Sequence, residues 1–244
     1  MSGVVKLKEK GMRNEEIVYV FRNSLQKLNS KTTEIKENKL NSLTKIHVGR
    51  APSLASFFEK TFTEELSKIY PEYDFYIDYP GSLFDERKNK IGNQPIYPDI
   101  MIVDLKNKIL KAIIEIKLDI GYVNIEAEKK SKRDGNLNKA VKIEFNSIVG
   151  AYSKKEQEIN KRIILSIPKD LKKIVLVVTT KNQHSYQGKP KKESYEKILS
   201  ERGYKIIFLL EKIHYNNIKD FSTEIENEFN TRKKSEIVEA FEGL

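Results

Sequence analysis

The sequence predicts an α/β fold, in which a mixed central β-sheet is flanked by helices and further helices are added at both termini. Apolar residues recur at helical spacing in several segments, and short apolar runs bounded by turn residues lie between them. The order of these segments combines a hairpin with alternating strands and helices, which indicates a mixed sheet. We divide the chain into an N-terminal helical extension (1–48), a core (49–212) and a C-terminal helical segment (213–244).

The helices are predicted from their apolar spacing. The first covers 14–29, and residues 30–44 are either a connector or a second helix. A stronger helix begins after Pro52 and Ser53 and is ended by Pro71. Further helices are predicted near 191–202, over 215–244, and after a basic segment at 128–139, where one face would carry Leu137, Val141, Phe145, Ile148 and Tyr152.

The strands are predicted where apolar runs end at turn residues. They cover residues 74–79, 97–105, 109–118, 174–180 and 204–210. Polar loops are expected at 83–96 and 181–192. The first strands would form a hairpin-built half, and right-handed βαβ crossovers would follow.

The charge and composition limit the classes of function. The formal net charge of +10 favours polyanionic partners, although a lysine-rich surface also simply keeps a protein in solution. No apolar run approaches the about 20 residues of a membrane span, and the first residues lack the apolar segment of a secretory signal. The chain has no cysteine, which excludes thiolate chemistry and suits a reducing cytoplasm, where we expect the protein.

The hairpin of the second and third strands gathers the residues that carry chemistry. A three-residue turn would place Leu105 opposite Ile109 and Asp99 opposite Glu115, with Cβ atoms of each pair about 4.5–5.5 Å apart. Lys117 shares that side of the sheet because it lies two residues beyond Glu115. The other side of the third strand carries an apolar row: Leu110, Ala112, Ile114, Ile116 and Leu118. One face would therefore belong to the core, and the other would carry two carboxylates and a lysine.

Two carboxylates at this distance repel each other unless a cation lies between them. Mg²⁺, with Mn²⁺ as an alternative, takes one or two carboxylates, water and phosphate oxygens, and the carbonyl of Ile116 would add a ligand. Such an ion stabilises charge on a scissile phosphate and lowers the pKa of a bound water, which Lys117 would orient. The alternative is that Asp99 caps the start of a strand while Glu115 and Lys117 are ordinary solvent-facing residues.

The motif Pro98-Asp99 followed, after fifteen residues, by Glu115-Ile116-Lys117 resembles the signature of the PD-(D/E)XK nuclease superfamily, which includes many type II restriction endonucleases. The helix before the motif and the helix and strand after it also resemble that family's order, over roughly residues 50–212. The resemblance implies a restriction-endonuclease-like fold for the core. It also implies that Asp99 and Glu115 bind Mg²⁺ and that Lys117 is the catalytic lysine.

A glutamate on the preceding helix often lies near the metal in this family. Glu59 resembles that pattern and is our candidate, with Glu65 as the rival because it falls within the apolar stripe of the helix. The alternative is that both are surface residues of the helix.

Three polar loops are candidates for nucleic-acid contacts, because lysine and arginine suit phosphates while asparagine, glutamine and arginine read base edges. One precedes the motif, one follows the motif hairpin, and the third has the best composition for reading bases. The candidate residues are Arg87, Lys88, Lys130, Lys132, Arg133, Asn182, Gln183, Gln187 and Lys189.

The function expected from these observations is that of a Mg²⁺-dependent endodeoxyribonuclease of the type II restriction class, which cuts double-stranded DNA as a homodimer and has no membrane partner. A structure-specific or non-specific defence or repair nuclease is a second hypothesis. A nucleic-acid-binding protein that has the fold without catalysis is a third.

Overall fold

Helices at both ends of the chain enclose a long run of strands. The computed structural model describes residues 2–41, 54–120, 123–125, 128, 133–148, 160–180, 185–186, 189–213, 221–229 and 231–244. In chain order the elements are α1 (Ser2–Asn41), α2 (Leu54–Ile69), β1 (Asp74–Ile77), β2 (Gly81–Phe84), β3 (Lys90–Ile96), β4 (Ile100–Asp104), β5 (Ile109–Asp119), α3 (Arg133–Lys139), β6 (Lys142–Ile148), β7 (Asn160–Ser166), β8 (Lys172–Thr179), β9 (Ser185–Tyr186), β10 (Lys189–Pro190), α4 (Lys191–Glu201), β11 (Lys205–Leu210), α5 (Phe221–Glu228) and α6 (Thr231–Phe241).

The central sheet is mixed and has two halves. In the first half β4 pairs antiparallel with β1 and β5, while β8 pairs parallel with β5 and β11. In the second half β7, β6, β2 and β3 pair antiparallel in that order, and β7 joins β5 through the pair Ile109 and Ser166. The prediction of an α/β fold with a mixed sheet flanked by helices is confirmed.

Both faces of the first half of the sheet are buried, so the face expected to carry the two carboxylates and the lysine also packs against a core. On one face Ile114 and Leu176 pack with apolar residues of α1, α2, α5 and α6. On the other face Ile113 and Val175 pack with residues of the second half of the sheet, α3 and α4. The second half folds across the first. The contact between the rings of Tyr76 in β1 and Phe145 in β6, which lie 4.8 Å apart, shows this. The two carboxylates and the lysine of the motif therefore lie at the margin of a second core.

The register of the β4–β5 hairpin differs from the prediction near its turn. Asp104, not Leu105, pairs with Ile109, so the predicted three-residue turn at 106–108 is wrong. A bulge in β5, where Lys111 is the extra residue between the pairs Ile102–Ala112 and Val103–Leu110, compensates for the longer turn. It also moves Leu110 to the second core, out of the predicted apolar row.

Beyond the bulge, the pairs between β4 and β5 agree with the prediction. Ile100, the first residue of β4, lies opposite Ile114, and Asp99 lies just outside the ladder, so the predicted pairing of Asp99 with Glu115 is not among the backbone pairs.

Two of the predicted elements are wrong. The expected polar loop at 83–96 contains β3 and the end of β2, which form a hairpin. The expected helix with Leu137 and Phe145 on one face is a short helix, α3, followed by a strand, β6. Residues 142–146 alternate polar and apolar, with Ile143 and Phe145 both buried, and this strand period competes with the helical spacing.

The terminal helices share their core with the sheet. Phe21 and Leu25 of α1 are buried against α2, and Ile225 and Ile237 of α5 and α6 belong to the same cluster. Helix α1 runs without interruption to Asn41, so residues 30–41 continue the first helix. None of the described helices combines the length and the apolar character that a membrane span requires.

Candidate active site

Asp99 lies at the point where β4 and β5 separate. Its Oδ2 accepts a hydrogen bond of 2.5 Å from the backbone amide of Ile116, and its carbonyl accepts one of 3.1 Å from the amide of Asp78. The carboxylate therefore occupies the position of a ladder partner just beyond the last backbone pair, Ile100 and Ile114. This arrangement fixes Asp99 between the two strands.

Glu115 and Lys117 lie on the adjacent strand, on the side of β5 that Ile113 shares. Glu115 is only 4% exposed, and Nζ of the half-buried Lys117 lies 3.6 Å from its Oε2. A buried carboxylate requires a partner, because removing the charge from water is costly. The three residues of the motif therefore lie together at the point where β4 and β5 separate, which we call the fork.

Glu59 joins this group from helix α2, where it is 6% exposed. Burial, together with the charges of Asp99, Asp78 and Glu115, raises the pKa of Glu59 to about 7, against the opposing effect of Lys117. This electrostatic coupling means that Glu59 lies close to the motif carboxylates. The structure therefore brings together all four of the predicted catalytic residues.

The rival Glu65 has different partners. Its Oε1 lies 2.7 Å from Nζ of both Lys27 and Lys68. Burial raises the pKa of Glu65, but hydrogen bonds from Lys27, Lys68 and Asn23 outweigh that effect and lower it to about 2. Glu65 is thus neutralised by lysines of α1 and α2, and it braces these two helices together.

Sequence reasoning missed two acidic residues of this region. Asp78 follows β1 with a positive φ of 57° and contributes to the charge around Glu59. Asp119 is buried and continues the alternation of Glu115 and Lys117 along β5. The position of Asp119 could be predicted from the sequence, because it continues the series of every second residue along β5. The position of Asp78 could not, because it depends on the turn after β1.

The donor set suits a magnesium ion. Within the described ranges, no group of three or more histidine, cysteine, aspartate or glutamate side chains forms a complete metal cage. Magnesium rarely uses such a cage, since it keeps several waters and binds through one or two carboxylates. Asp99 and Glu115 provide these. The amide of Ile116 points toward Asp99, and the carbonyl of a strand residue points to the same side as its amide, which keeps Ile116 a candidate ligand.

Tyr97 is an exposed aromatic residue beside the site. Its side chain is 58% exposed, while the neighbouring Pro98 is buried and anchors the backbone between β3 and β4. Tyr97 begins the strand predicted over 97–105 and is not among the predicted site residues. An exposed aromatic ring offers a surface on which a nucleic-acid base can stack.

The residues predicted to bind DNA are only partly described. Arg87 and Lys88 lie in the turn between β2 and β3, where Lys88 has a positive φ of 65°. Arg133 begins α3 and Lys189 begins β10. The predicted contacts that lie outside the described residues are Lys130, Lys132, Asn182, Gln183 and Gln187.

Comparisons with known proteins assign neither a family nor a function to the chain. No family model, curated protein or solved structure matches the chain.

Proposed function

We propose that the protein is a Mg²⁺-dependent endodeoxyribonuclease of the PD-(D/E)XK superfamily, acting on double-stranded DNA in the manner of a type II restriction enzyme. The observation that carries the proposal is the convergence of Asp99, Glu115 and Lys117 at one fork between two strands, with Glu59 beside them. The net charge of +10 supports a polyanionic substrate.

Each residue would have a distinct part in the reaction. A Mg²⁺ ion held by Asp99 and Glu115 would stabilise charge on the scissile phosphate and make a water molecule more acidic. Lys117 would orient the attacking water or neutralise the charge that develops. Glu59, whose pKa of about 7 lies at working pH, would hold or release a proton beside the motif carboxylates.

Cleavage of both strands at a symmetric site requires two active sites related by a two-fold axis. We therefore propose a homodimer as the active form on DNA. Analytical ultracentrifugation with and without a DNA duplex measures this directly. A protein that cuts both strands while staying monomeric would contradict the dimer but leave the nuclease proposal standing.

The test of the nuclease proposal is to incubate plasmid, linear DNA and RNA with the purified protein and either Mg²⁺, Mn²⁺ or EDTA. The variants are Glu115→Gln and Lys117→Ala, with Lys106→Ala as a matched control because Lys106 is an exposed lysine of the same hairpin. We expect metal-dependent cleavage that both site variants lose and the control retains.

The products distinguish the kinds of nuclease. Discrete fragments indicate a restriction enzyme, whereas a smear or a requirement for ends or junctions indicates a non-specific or structure-specific nuclease. If every substrate stays intact with both metals, the enzyme proposal fails and a nucleic-acid-binding role replaces it. If the site variants cleave as well as the control, the active site has been misplaced.

A further inference from the structure

A cavity of about 660 Å³ lies among three turns that are far apart in the sequence. We call it the turn cavity. It is bounded by the β2–β3 turn, by the end of α3 and by the β7–β8 connection, and it is lined by Asp85, Glu86, Arg87, Asn89, Leu137, Asn138, Lys139, Ala140, Val141, Ile167, Pro168, Lys169, Leu171 and Lys173. Its volume lies within the range of small-molecule sites in proteins, about 300–1,000 Å³.

The turn cavity is separate from the candidate active site. It contains none of the four proposed catalytic residues. Lys173, which borders it, pairs with Ile113 at the start of the β5–β8 ladder, whereas Glu115 pairs with Val175 farther along. A ligand of this cavity is therefore additional to the substrate bound at the fork.

Backbone hydrogen bonds hold the walls of the turn cavity together. The amide of Val141 donates to the carbonyl of Phe84 at 2.9 Å, and the amide of Ile167 donates to the carbonyl of Val141 at 2.8 Å. These bonds join the ends of β2, α3 and β7. The floor is apolar and consists of Leu137, Ala140, Val141, Ile167, Pro168 and Leu171. Such a floor is suited to a flat, weakly polar group.

The rim of the turn cavity is predominantly cationic. Arg87, Lys139 and Lys169 come from the three different turns and are all exposed. Within the described ranges, no ion pair joins Lys139 or Lys169 to a carboxylate. Of the two acidic residues, Asp85 is engaged inside its own turn, where it accepts hydrogen bonds from the amide and the side chain of Asn89.

Lys173 adds a fixed cation at the edge of the turn cavity. Its Nζ donates a hydrogen bond of 2.9 Å to Oδ1 of Asn138 and another to the carbonyl of Arg202, and it lies 5.2 Å from the centre of the Tyr204 ring. These contacts hold the ammonium group at the edge of the turn cavity.

We propose that the turn cavity binds a nucleotide, with the base and sugar on the apolar floor and the phosphate groups on Lys139, Lys169 and Arg87. The exposed carboxylate of Glu86 accepts hydrogen bonds from a sugar hydroxyl or a base amine. The same chemistry is offered by a free nucleoside triphosphate and by one nucleotide of a DNA strand. Phosphate oxygens form charge-assisted hydrogen bonds with lysine and arginine, each about twice as strong as a neutral one.

Direct binding measurements test this proposal. Isothermal titration calorimetry in EDTA, where cleavage does not occur, would use the full-length protein with ATP, with adenosine, and with a short single-stranded oligonucleotide. The test variant is Lys139→Glu/Lys169→Glu, and the matched control is Lys106→Glu/Lys142→Glu, which changes the charge equally at exposed lysines outside the cavity. Circular dichroism verifies that both variants fold.

We expect at least one phosphorylated probe to bind and to lose affinity by about tenfold or more in the test variant, but less than about twofold in the control. Adenosine should bind more weakly than ATP. A loss confined to ATP identifies a free nucleotide as the ligand, and a loss for the oligonucleotide identifies a DNA strand. The proposal is overturned if neither probe binds, or if both variants weaken binding equally. Because no cleavage is measured, this result does not depend on the nuclease proposal.

Discussion

The carboxylate of Asp99 accepts a 2.5 Å hydrogen bond from the amide of Ile116, and this bond ties the two halves of the motif together across 17 positions of sequence. The amide belongs to the residue between Glu115 and Lys117. Any displacement of β4 relative to β5 would therefore move Asp99 away from both of its presumed catalytic partners. Because of this hydrogen bond, the position of the candidate active site depends on the pairing of β4 with β5.

Replacing Asp99 by asparagine should separate its structural and catalytic roles. The amide oxygen of asparagine still accepts the bond from Ile116, so the free energy of unfolding should change by less than about 1 kcal/mol. Loss of the negative charge should lower the DNA cleavage rate by about 100-fold or more, because a metal ligand is lost. Urea unfolding and plasmid cleavage measure the two effects.

Asp99→Ala is the companion variant. It leaves the amide of Ile116 without its acceptor, so we expect a further loss of about 1–3 kcal/mol in the free energy of unfolding. If Asp99→Asn cleaved DNA at the wild-type rate, Asp99 would have no catalytic function and the hydrogen bond would be its whole role.

Glu59→Gln should stabilise the metal-free protein at alkaline pH. The folded-state pKa of about 7 lies above the ordinary value of 4.5, so the folded state binds more protons between these values and loses stability as pH rises through that window. Glutamine carries no charge and removes this dependence. We expect a gain of about 1–3 kcal/mol at pH 8 and little change at pH 4.5, measured by urea unfolding in EDTA.

An unchanged pH dependence in Glu59→Gln would mean that the glutamate is solvated and does not contact the motif carboxylates. Addition of Mg²⁺ gives an independent readout, because a cation between the carboxylates should reduce the difference between wild type and variant at pH 8.

Glu65→Gln should affect stability without affecting cleavage. The carboxylate is bonded to Lys27 and Lys68, and its pKa of about 2 lies below the ordinary value. Its contribution to stability is therefore present above about pH 4.5 and is lost as pH falls toward 2. Because both lysines are solvent-exposed, we expect a loss of only about 1 kcal/mol at pH 7.

Comparing Glu65→Gln with Glu59→Gln in one cleavage assay distinguishes the two helix glutamates. A large loss of cleavage in the folded Glu65 variant, with none in the Glu59 variant, would reverse the assignment of the catalytic glutamate.

Tyr97→Ala should weaken substrate binding more than it slows the chemical step. Stacking of a base on an aromatic side chain contributes about 1–3 kcal/mol, so we expect KM for a DNA substrate to rise about tenfold while kcat changes little. Tyr97→Phe retains the ring and serves as the matched control. A fall in kcat with unchanged KM, or an equal effect of both variants, would contradict the stacking role.

Local patterns in the sequence were sufficient for several elements. The parallel strands β8 and β11 were predicted because each contains a continuous apolar run, which is typical of a strand buried on both faces, and β5 was predicted from the apolar row along one of its sides. Helix α2 was predicted because its apolar stripe ends at a proline. In these elements one spacing of the apolar residues dominates, and no tertiary contact overrides the structure that this spacing predicts.

Elsewhere the local pattern was ambiguous or misleading. Strand β6 was taken for a helix because Leu137, Val141 and Phe145 also fit a helical spacing. Strand β3 was taken for a loop because its residues are mostly polar and exposed, and it forms a strand by pairing with β2. Strand pairing involves a partner that the local sequence does not contain, so the pairing with β2 decided β3, and pairing with β2 and β7 decided between the two periods that the residues of β6 carry.

The sequence by itself determined the candidates for the proposed chemistry, since residue type and spacing along two apolar strands single out Asp99, Glu115 and Lys117. Only the tertiary structure decided that Glu59, and not Glu65, lies beside them, because α1 supplies a lysine that neutralises Glu65. It also decided the bulge at Lys111 of β5, which sets the register that places Ile100 opposite Ile114. The physical reason is that a residue's chemistry and periodicity are local, whereas its neighbours depend on how distant segments pack.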